Sequence, residues 1–292
     1  MAVLAVSATL VWNGRQVALA DSQAQAFRFL AGAEAALNRS LLEVDVLLAG
    51  IDELLELSSK RAGQIDARSA SHRLRGMALQ NLMVRYAAVL DAEGKSLVSS
   101  DAGGARMASR LPDGFLDEVV AQPISTLLIS APMVSFASSE RVLYLARQLR
   151  LADQSVVVAI AELPVSAISE VLLQGAEIRG LQVTLERAGG QLLLSAPGRD
   201  DSVPAVLSPP LDELAVLGQQ WQAPARLTGA PALVVSRPIL YQDLRVAVSI
   251  PLDEALLPWR SQSKEVGLTA LLFVVMIIVA GWTTLRYLER LA

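Results

Sequence analysis

The sequence predicts an α+β protein: a long N-terminal helix carrying two antiparallel-sheet units, followed by a transmembrane helix. Three observations predict it. Residues 21–60 contain no Pro and place apolar side chains at spacings of three, four and seven. From about residue 84 the hydrophobic period becomes two, and one order of strand-like segments occurs twice. Val266 to Leu285 is apolar and carries no charge.

Composition narrows the function. With 53% hydrophobic and 18% charged residues, the 292-residue chain is neither disordered nor typical of a purely soluble protein. A net charge of −4 leaves no basic field for nucleic acid, and 4% aromatics supply few platforms for stacked bases. The absence of Cys excludes disulfides, thiolate metal sites and cysteine nucleophiles. The single histidine, His72, excludes a histidine-rich metal centre and reads as an exposed side chain. GxSxG, Walker, HExxH and GxGxxG motifs are all missing, so no enzyme and no cofactor are expected. Asp200-Asp201 and Asp212-Glu213 are carboxylate pairs without a histidine, read as loop and helix-cap residues.

Met1 to Trp12 is apolar but too short to span a bilayer. It reads as the end of a first transmembrane helix over 1–14, or as the apolar start of an amphipathic helix. A long helix follows over 15–62, capped at Asp21 or Ser22, with the stripe Leu30, Leu37, Leu41, Val44, Leu48, Ile51 and Leu55. A second helix is expected over 63–82, with Lys60, Arg61, Arg68, Arg73 and Arg75 on a solvated face.

The first sheet unit, 63–174, continues with a hairpin (Val84–Leu90, a Glu93-Gly94 turn, Ser96–Ser100) and a helix over Pro112–Ala121. Strands Thr126–Val134, Arg141–Leu149 and Ser155–Leu163 follow, then a helix over Val165–Leu173. The second unit, 175–260, repeats the order. Leu181–Glu186 and Gln191–Ser195 flank a Gly189-Gly190 turn. A Pro-rich loop over 196–224, holding a short helix Leu211–Gln220, leads to strands Ala223–Thr228, Ala232–Ile239 and Leu244–Ile250. A closing helix begins after Pro251.

The two units can be superposed as sequences. AVLDAEGKSLVSS (88–100) matches VTLERAGGQLLLS (183–195). LYLARQLRLADQSVVVAI (143–160) matches LVVSRPILYQDLRVAVSI (233–250) without a gap. That register puts Arg147 on Arg237, Asp153 on Asp243, and Val156, Val158 and Ile160 on Val246, Val248 and Ile250.

About 20 apolar residues rising about 1.5 Å each cross a bilayer core of about 30 Å. The span is therefore placed at 264–287, with Trp259, Trp282 and Tyr287 as interfacial anchors and 288–292 starting a cytoplasmic segment. Seven residues follow Leu285, too few for an output domain, so the chain reads as a fragment or as a protein that signals through a partner.

These stretches carry a resemblance. YLARQLRLADQSVVVAIAEL, VTLERAGGQLLLSAPG and VVSRPILYQDLRVAVSIPLDEAL resemble the hairpins and exit helix of the double-Cache (tandem PAS-like) extracytoplasmic sensor domain. That domain belongs to bacterial membrane receptors such as diguanylate cyclases, c-di-GMP phosphodiesterases, sensor histidine kinases and chemoreceptors. The glycine-rich turn usual before the last strand is replaced by Ala152-Asp153-Gln154 and Gln242-Asp243. The resemblance implies a small-molecule ligand, such as an organic acid, held in the membrane-distal unit. It also implies a periplasmic location at the bacterial inner membrane, a homodimer formed through the long helix, and any catalysis in an output domain outside this chain.

Residue by residue, the family's amino-acid-binding motif carries over only in part. The family tyrosine falls on Met133, the acidic position on Glu162, and FLDE (Phe115–Glu118) supplies neither the arginine nor the tryptophan. The candidate ligand-binding residues are Arg147, Glu162, Met133, Tyr144 and Ser130, with Ser135 beside them. Arg147 reads either as an anion clamp or as a structural ion pair with Glu162 or Asp153, and its repetition as Arg237 favours a shared structural role. A second functional reading is a ligand-free module that couples a periplasmic partner protein to the membrane. A polar cavity in the distal unit favours sensing, and an apolar filling favours coupling.

Overall fold

The computed structural model describes residues 2–57, 66–101, 111–135, 138–151, 154–198, 205–216, 222–241 and 243–291. Asp153, Lys60, Arg61, Asp200 and Asp201 lie outside the described residues. The chain opens with a single helix α1, Ala2–Ala49, of 48 residues and about 70 Å. The segments expected over 1–14 and 15–62 therefore run together as far as Ala49. Nothing between them terminates a helix, and the proposed cap Ser22 instead donates its hydroxyl to the Ala255 carbonyl at 3.3 Å. Beyond Gly50 lie α2 (Ile51–Leu57) and α3 (Ala67–Gln80).

The first sheet is built from β1 (Tyr86–Asp91), β2 (Ser96–Ser99), β3 (Leu127–Ile129), β4 (Met133–Val134), β5 (Arg141–Arg150) and β6 (Val156–Pro164). Helix α4 (Phe115–Val120) precedes β3, and α5 (Val165–Leu173) follows β6. The second sheet holds β7 (Gln182–Arg187), β8 (Leu192–Ala196), β9 (Gln222–Pro224), β10 (Pro231–Pro238) and β11 (Leu244–Pro251), with α6 (Leu211–Val216) between β8 and β9. Helices α7 (Leu252–Ala255) and α8 (Leu257–Leu291) close the chain. Strand order is β2-β1-β6-β5-β3 in the first sheet, with β4 also on β5, and β8-β7-β11-β10-β9 in the second. All described pairings are antiparallel. The two sheets thus share one connectivity, the architecture expected of a duplicated unit.

The register of that duplication differs from the sequence superposition. Arg147 stands opposite Ala159, whereas Arg237 stands opposite Val246, so the second hairpin is three residues shorter. The correspondence of Arg147 with Arg237 stands, but Val246, Val248 and Ile250 match Ala159, Ala161 and Leu163 rather than Val156, Val158 and Ile160. An odd shift moves every side chain to the other face. In the opening hairpins, Ala88 opposite Ser99 matches Thr184 opposite Ser195, one residue away from the superposition by sequence.

All seven residues of the predicted stripe on α1 and α2 are buried. They join one core with the inward faces of both sheets: Val89, Leu143, Leu145, Ala159 and Ala161 in the first, Val183, Leu185, Leu233, Val235, Val246 and Val248 in the second. The outer face of the first sheet forms a separate cluster of Ala88, Leu90, Val142, Tyr144, Val158 and Ile160 under Phe115 and Val119 of α4. Leu257–Thr283 is the one stretch among the described residues long and apolar enough to cross a membrane, with mean hydropathy 2.4. Its side chains Phe273, Met276, Ile277 and Val279 are exposed. Near its start, the Trp259 indole donates to the Val11 carbonyl at 2.8 Å and ties α8 to α1.

Candidate functional site

Antiparallel pairing places Glu162 of β6 between Tyr86 of β1 and Tyr144 of β5, directly across the strands. All three point outward, away from α1, because alternation puts Ala159, Ala161 and Leu163 on the inner face. Glu162 is only 3% exposed, and its carboxylate accepts the Tyr144 hydroxyl at 3.0 Å. The Tyr86 hydroxyl lies 2.6 Å from Ser99 Oγ. A buried carboxylate needs donors, and a cavity of about 320 Å³ opens beside it. Arg75, Arg85, Tyr86, Ser100, Asp101 and Glu162 give that cavity its polar wall. Arg75 donates through Nε to the Ser100 carbonyl at 2.7 Å. Arg85 is held by Ser138 Oγ at 2.7 Å and by the Glu140 carboxylate.

Four of the five candidates from the sequence gather on this side. The Ser130 hydroxyl accepts the Tyr144 amide at 2.9 Å and the Ser130 amide donates to the Tyr144 carbonyl at 2.8 Å, so Ser130 staples the end of β3 to β5. Met133 stands opposite Val142 and packs on the outer cluster. Ser135 is buried, and its hydroxyl has no partner among the described residues.

Arg147 is elsewhere. It lies on the inner face, where Nη1 meets Asp45 Oδ1 of α1 at 2.5 Å and Nε donates to Ser125 Oγ at 3.0 Å. The expected pairing with Glu162 is thus replaced by one with Asp45, because residues 147 and 162 have opposite parity in the paired strands. Arg237 does the same in the second unit, pairing with Glu34 of α1 at 2.8 Å. Asp45 also receives the Tyr241 hydroxyl at 3.5 Å, so one carboxylate on α1 contacts both units. Burial, with the Asp45 charge and hydrogen bond added, pushes the Tyr241 hydroxyl up to about 12.

Sequence reasoning missed Tyr86, Arg75, Arg85, Ser100 and Asp101. Tyr86 was within reach, since it continues the outward parity of Ala88 and Leu90. The others come from a helix, a strand start and a turn that no local period connects. The two features chosen to separate the functional readings occur together: Phe115 and Val119 fill the outer face with apolar groups, and a polar cavity opens beside Glu162. His72 is exposed, and among the described residues no group of three or more His, Asp or Glu could hold a metal.

No family model and no curated protein matches the chain by sequence. Solved structures match it in fold. The extracellular domain of the histidine kinase rpHK1S-Z16 aligns over 83% of this chain and all of its own, with TM-score 0.63 and 21% identity. The ligand-binding domain of the Pseudomonas aeruginosa amino acid chemoreceptor PctB, in complex with L-Arg, aligns over 81% of this chain and 98% of its own, with TM-score 0.56 and 14% identity. That of the Pseudomonas fluorescens chemoreceptor CtaA, in complex with L-serine, aligns over 80% and 98%, with TM-score 0.53 and 18% identity. The chain shares the fold of these extracellular ligand-binding domains. Within this fold, the Glu162 cavity belongs to the unit nearer the N-terminus, on the sheet face turned away from the long helix.

Proposed function

We propose that this chain is the extracytoplasmic sensory region of a bacterial transmembrane receptor, anchored in the inner membrane with its bulk in the periplasm. The observation that carries the reading is Glu162, a buried carboxylate with a phenol on one side and a polar cavity on the other. It suits a small ligand that brings a hydrogen-bond donor or an ammonium group. The PctB and CtaA domains are in complex with L-Arg and L-serine, and Glu162 would meet the ammonium end of a ligand of that class. Met133 and the Phe115–Glu118 segment lack the groups that would clamp an α-carboxylate, so Arg75 and Arg85 take over any anionic end of the ligand. Occupancy would shift the distal sheet against α1 and reach the membrane through α1 and α8. Two chains would pair along α1.

The test is a thermal-shift screen of the whole chain in lipid nanodiscs against amines, amino acids and organic acids. A ligand that binds only the folded state raises the melting temperature with dose. A rise that Glu162→Gln removes supports the reading. A flat screen of a folded protein moves the function to the second reading, a partner-coupling module, which the apolar filling under α4 favours.

A further inference from the structure

A chain of hydrogen bonds leads from Glu162 out of its own unit. The Glu162 carboxylate accepts the Tyr144 hydroxyl at 3.0 Å. Ser130 holds the Tyr144 backbone on both sides, its hydroxyl accepting the amide at 2.9 Å and its amide donating to the carbonyl at 2.8 Å. The residue before it, Ile129, ends β3, and the Ile129 carbonyl accepts Nη2 of Arg187 from the second unit. Arg187 ends β7 and stands opposite Leu244 of β11. β11 ends at Pro251, α7 follows at once, and α8 carries the apolar stretch Leu257–Thr283.

Two features set the Arg187 contact apart from ordinary packing between units. The first is its place. β3 lies at the edge of the first sheet, where backbone groups are open to a partner from outside. A guanidinium on such a carbonyl makes a charge-assisted bond, stronger and more directional than a neutral one. The second feature comes from the duplication. With Ala88 opposite Ser99 matched to Thr184 opposite Ser195, Arg187 corresponds to Asp91. Each is the last residue of a six-residue strand, and Asp91 faces Val157 as Arg187 faces Leu244. Asp91 folds back on its own hairpin, where its carboxylate accepts the Lys95 amide at 2.6 Å. Arg187 instead crosses to the other unit. The crossing is therefore particular to the second copy, unlike the anchoring of both sheets to α1 by Arg147 and Arg237.

We propose that Arg187 is a positioning residue that couples the Glu162 site to the second sheet by a route that bypasses α1. The proposal rests on the reading of Glu162 as the sensory site. A ligand group that takes the place of the Tyr144 hydroxyl at Glu162 releases the phenol, and Ser130 passes the shift of β5 to the end of β3. The Ile129 carbonyl moves with β3 and draws Arg187 along, and with it β7 and β11. Such a contiguous network of hydrogen bonds transmits a local change only if its members are energetically coupled.

The test needs no ligand, so a flat ligand screen and a failed relay are told apart. Tyr144→Phe takes the hydroxyl away from Glu162, and amide hydrogen exchange of the full chain in nanodiscs reads the consequence. Exchange should rise at least about threefold at residues 127–134 and, across the units, at 183–187 and 244–250. In an Arg187→Met background the change caused by Tyr144→Phe should persist at 127–134 and vanish at 183–187 and 244–250. Arg187→Gln, with a shorter neutral side chain, should act in the same way and serves if the methionine variant does not fold. Arg147→Met cuts the link to α1 instead and should leave the transmitted change intact. An Arg187 that is merely structural would raise exchange in the second unit by itself, with the effect of Tyr144→Phe added on top. That additive outcome overturns the proposal. So do a Tyr144→Phe effect confined to the first unit and a transmitted effect that Arg147→Met removes.

Discussion

Arg147 and Glu162 belong to neighbouring strands of one sheet but occupy its opposite faces: the guanidinium meets Asp45 on α1, and the carboxylate meets the Tyr144 hydroxyl on the outer side. The charge repeated in both units, at Arg147 and Arg237, is therefore the one that holds each sheet to the long helix. The charge present once, Glu162, faces the cavity.

Arg147→Met is expected to loosen α1 without changing ligand response. A partly buried charged hydrogen bond contributes about 1–3 kcal/mol. Asp45→Asn should cost a similar amount, and the double variant should cost less than the two losses added. Urea unfolding of the four proteins measures this coupling. Additive losses would show that the two side chains do not act as a pair.

Tyr241 makes stability depend on alkaline pH. Its proton is held more tightly in the folded chain, pushed up to about 12 from 10.0 by burial first and by Asp45 second, against a smaller opposing effect of Arg147. The folded pKa exceeds the unfolded one, so the contribution is complete below pH 10 and is lost as pH rises towards 12. Tyr241→Phe should flatten that part of the profile, read as melting temperature against pH. An unchanged profile would assign the alkaline loss to other groups.

The second unit has a buried ion pair where the first has apolar filling. Arg226 donates through Nε and Nη2 to both Glu186 oxygens at 2.9 and 2.5 Å and through Nη1 to the Pro209 carbonyl at 2.7 Å, and Thr184 donates to Glu186 at 2.7 Å. Both charged side chains are at most 3% exposed. Removing one partner strands the other, so Arg226→Met should cost about 3–5 kcal/mol. Arg226→Met combined with Glu186→Leu should recover most of that loss, since apolar replacement of a buried pair is often neutral. Denaturant midpoints of the single and double variants decide. A double variant as unstable as the single one would mean that the pair shapes the unit beyond its charges.

How far the sequence could be read depended on whether the signal was local. The α1 stripe, the helix Val165–Leu173 and the paired strands follow from period and punctuation within a few residues of each position. The superposition of the two units failed by three residues at the closing hairpin, where the second unit has the shorter turn, and by one at the opening hairpin, because strands buried on both faces carry no alternation that fixes their register. That failure hid the faces, and with them the separation of Arg147 from Glu162. Asp45 and Glu34 look like ordinary solvated helix charges in the sequence, and only the tertiary fold brings arginines from two sheets onto them. The rim of the cavity is equally non-local, since Arg75, Arg85 and Asp101 belong to three different elements.

The Gly189-Gly190 turn separates two costs that usually come together. Both residues have positive φ, 84° and 85°, a conformation that costs an L residue about 1–2 kcal/mol. A Cβ on Gly189 would meet nothing within 4 Å, whereas one on Gly190 would lie 2.1 Å from the Leu207 carbonyl oxygen. That carbonyl belongs to backbone already fixed by the Leu207 amide, which donates to the Gly190 carbonyl at 2.8 Å, so it cannot swing aside cheaply. Gly189→Ala should therefore cost only the conformational part. Gly190→Ala should cost that and about 1–3 kcal/mol more for overpacking. Thermal unfolding of the two variants side by side measures the difference. Equal losses would show that the 205–207 segment yields to the new methyl and that the turn is held by its dihedral angles alone.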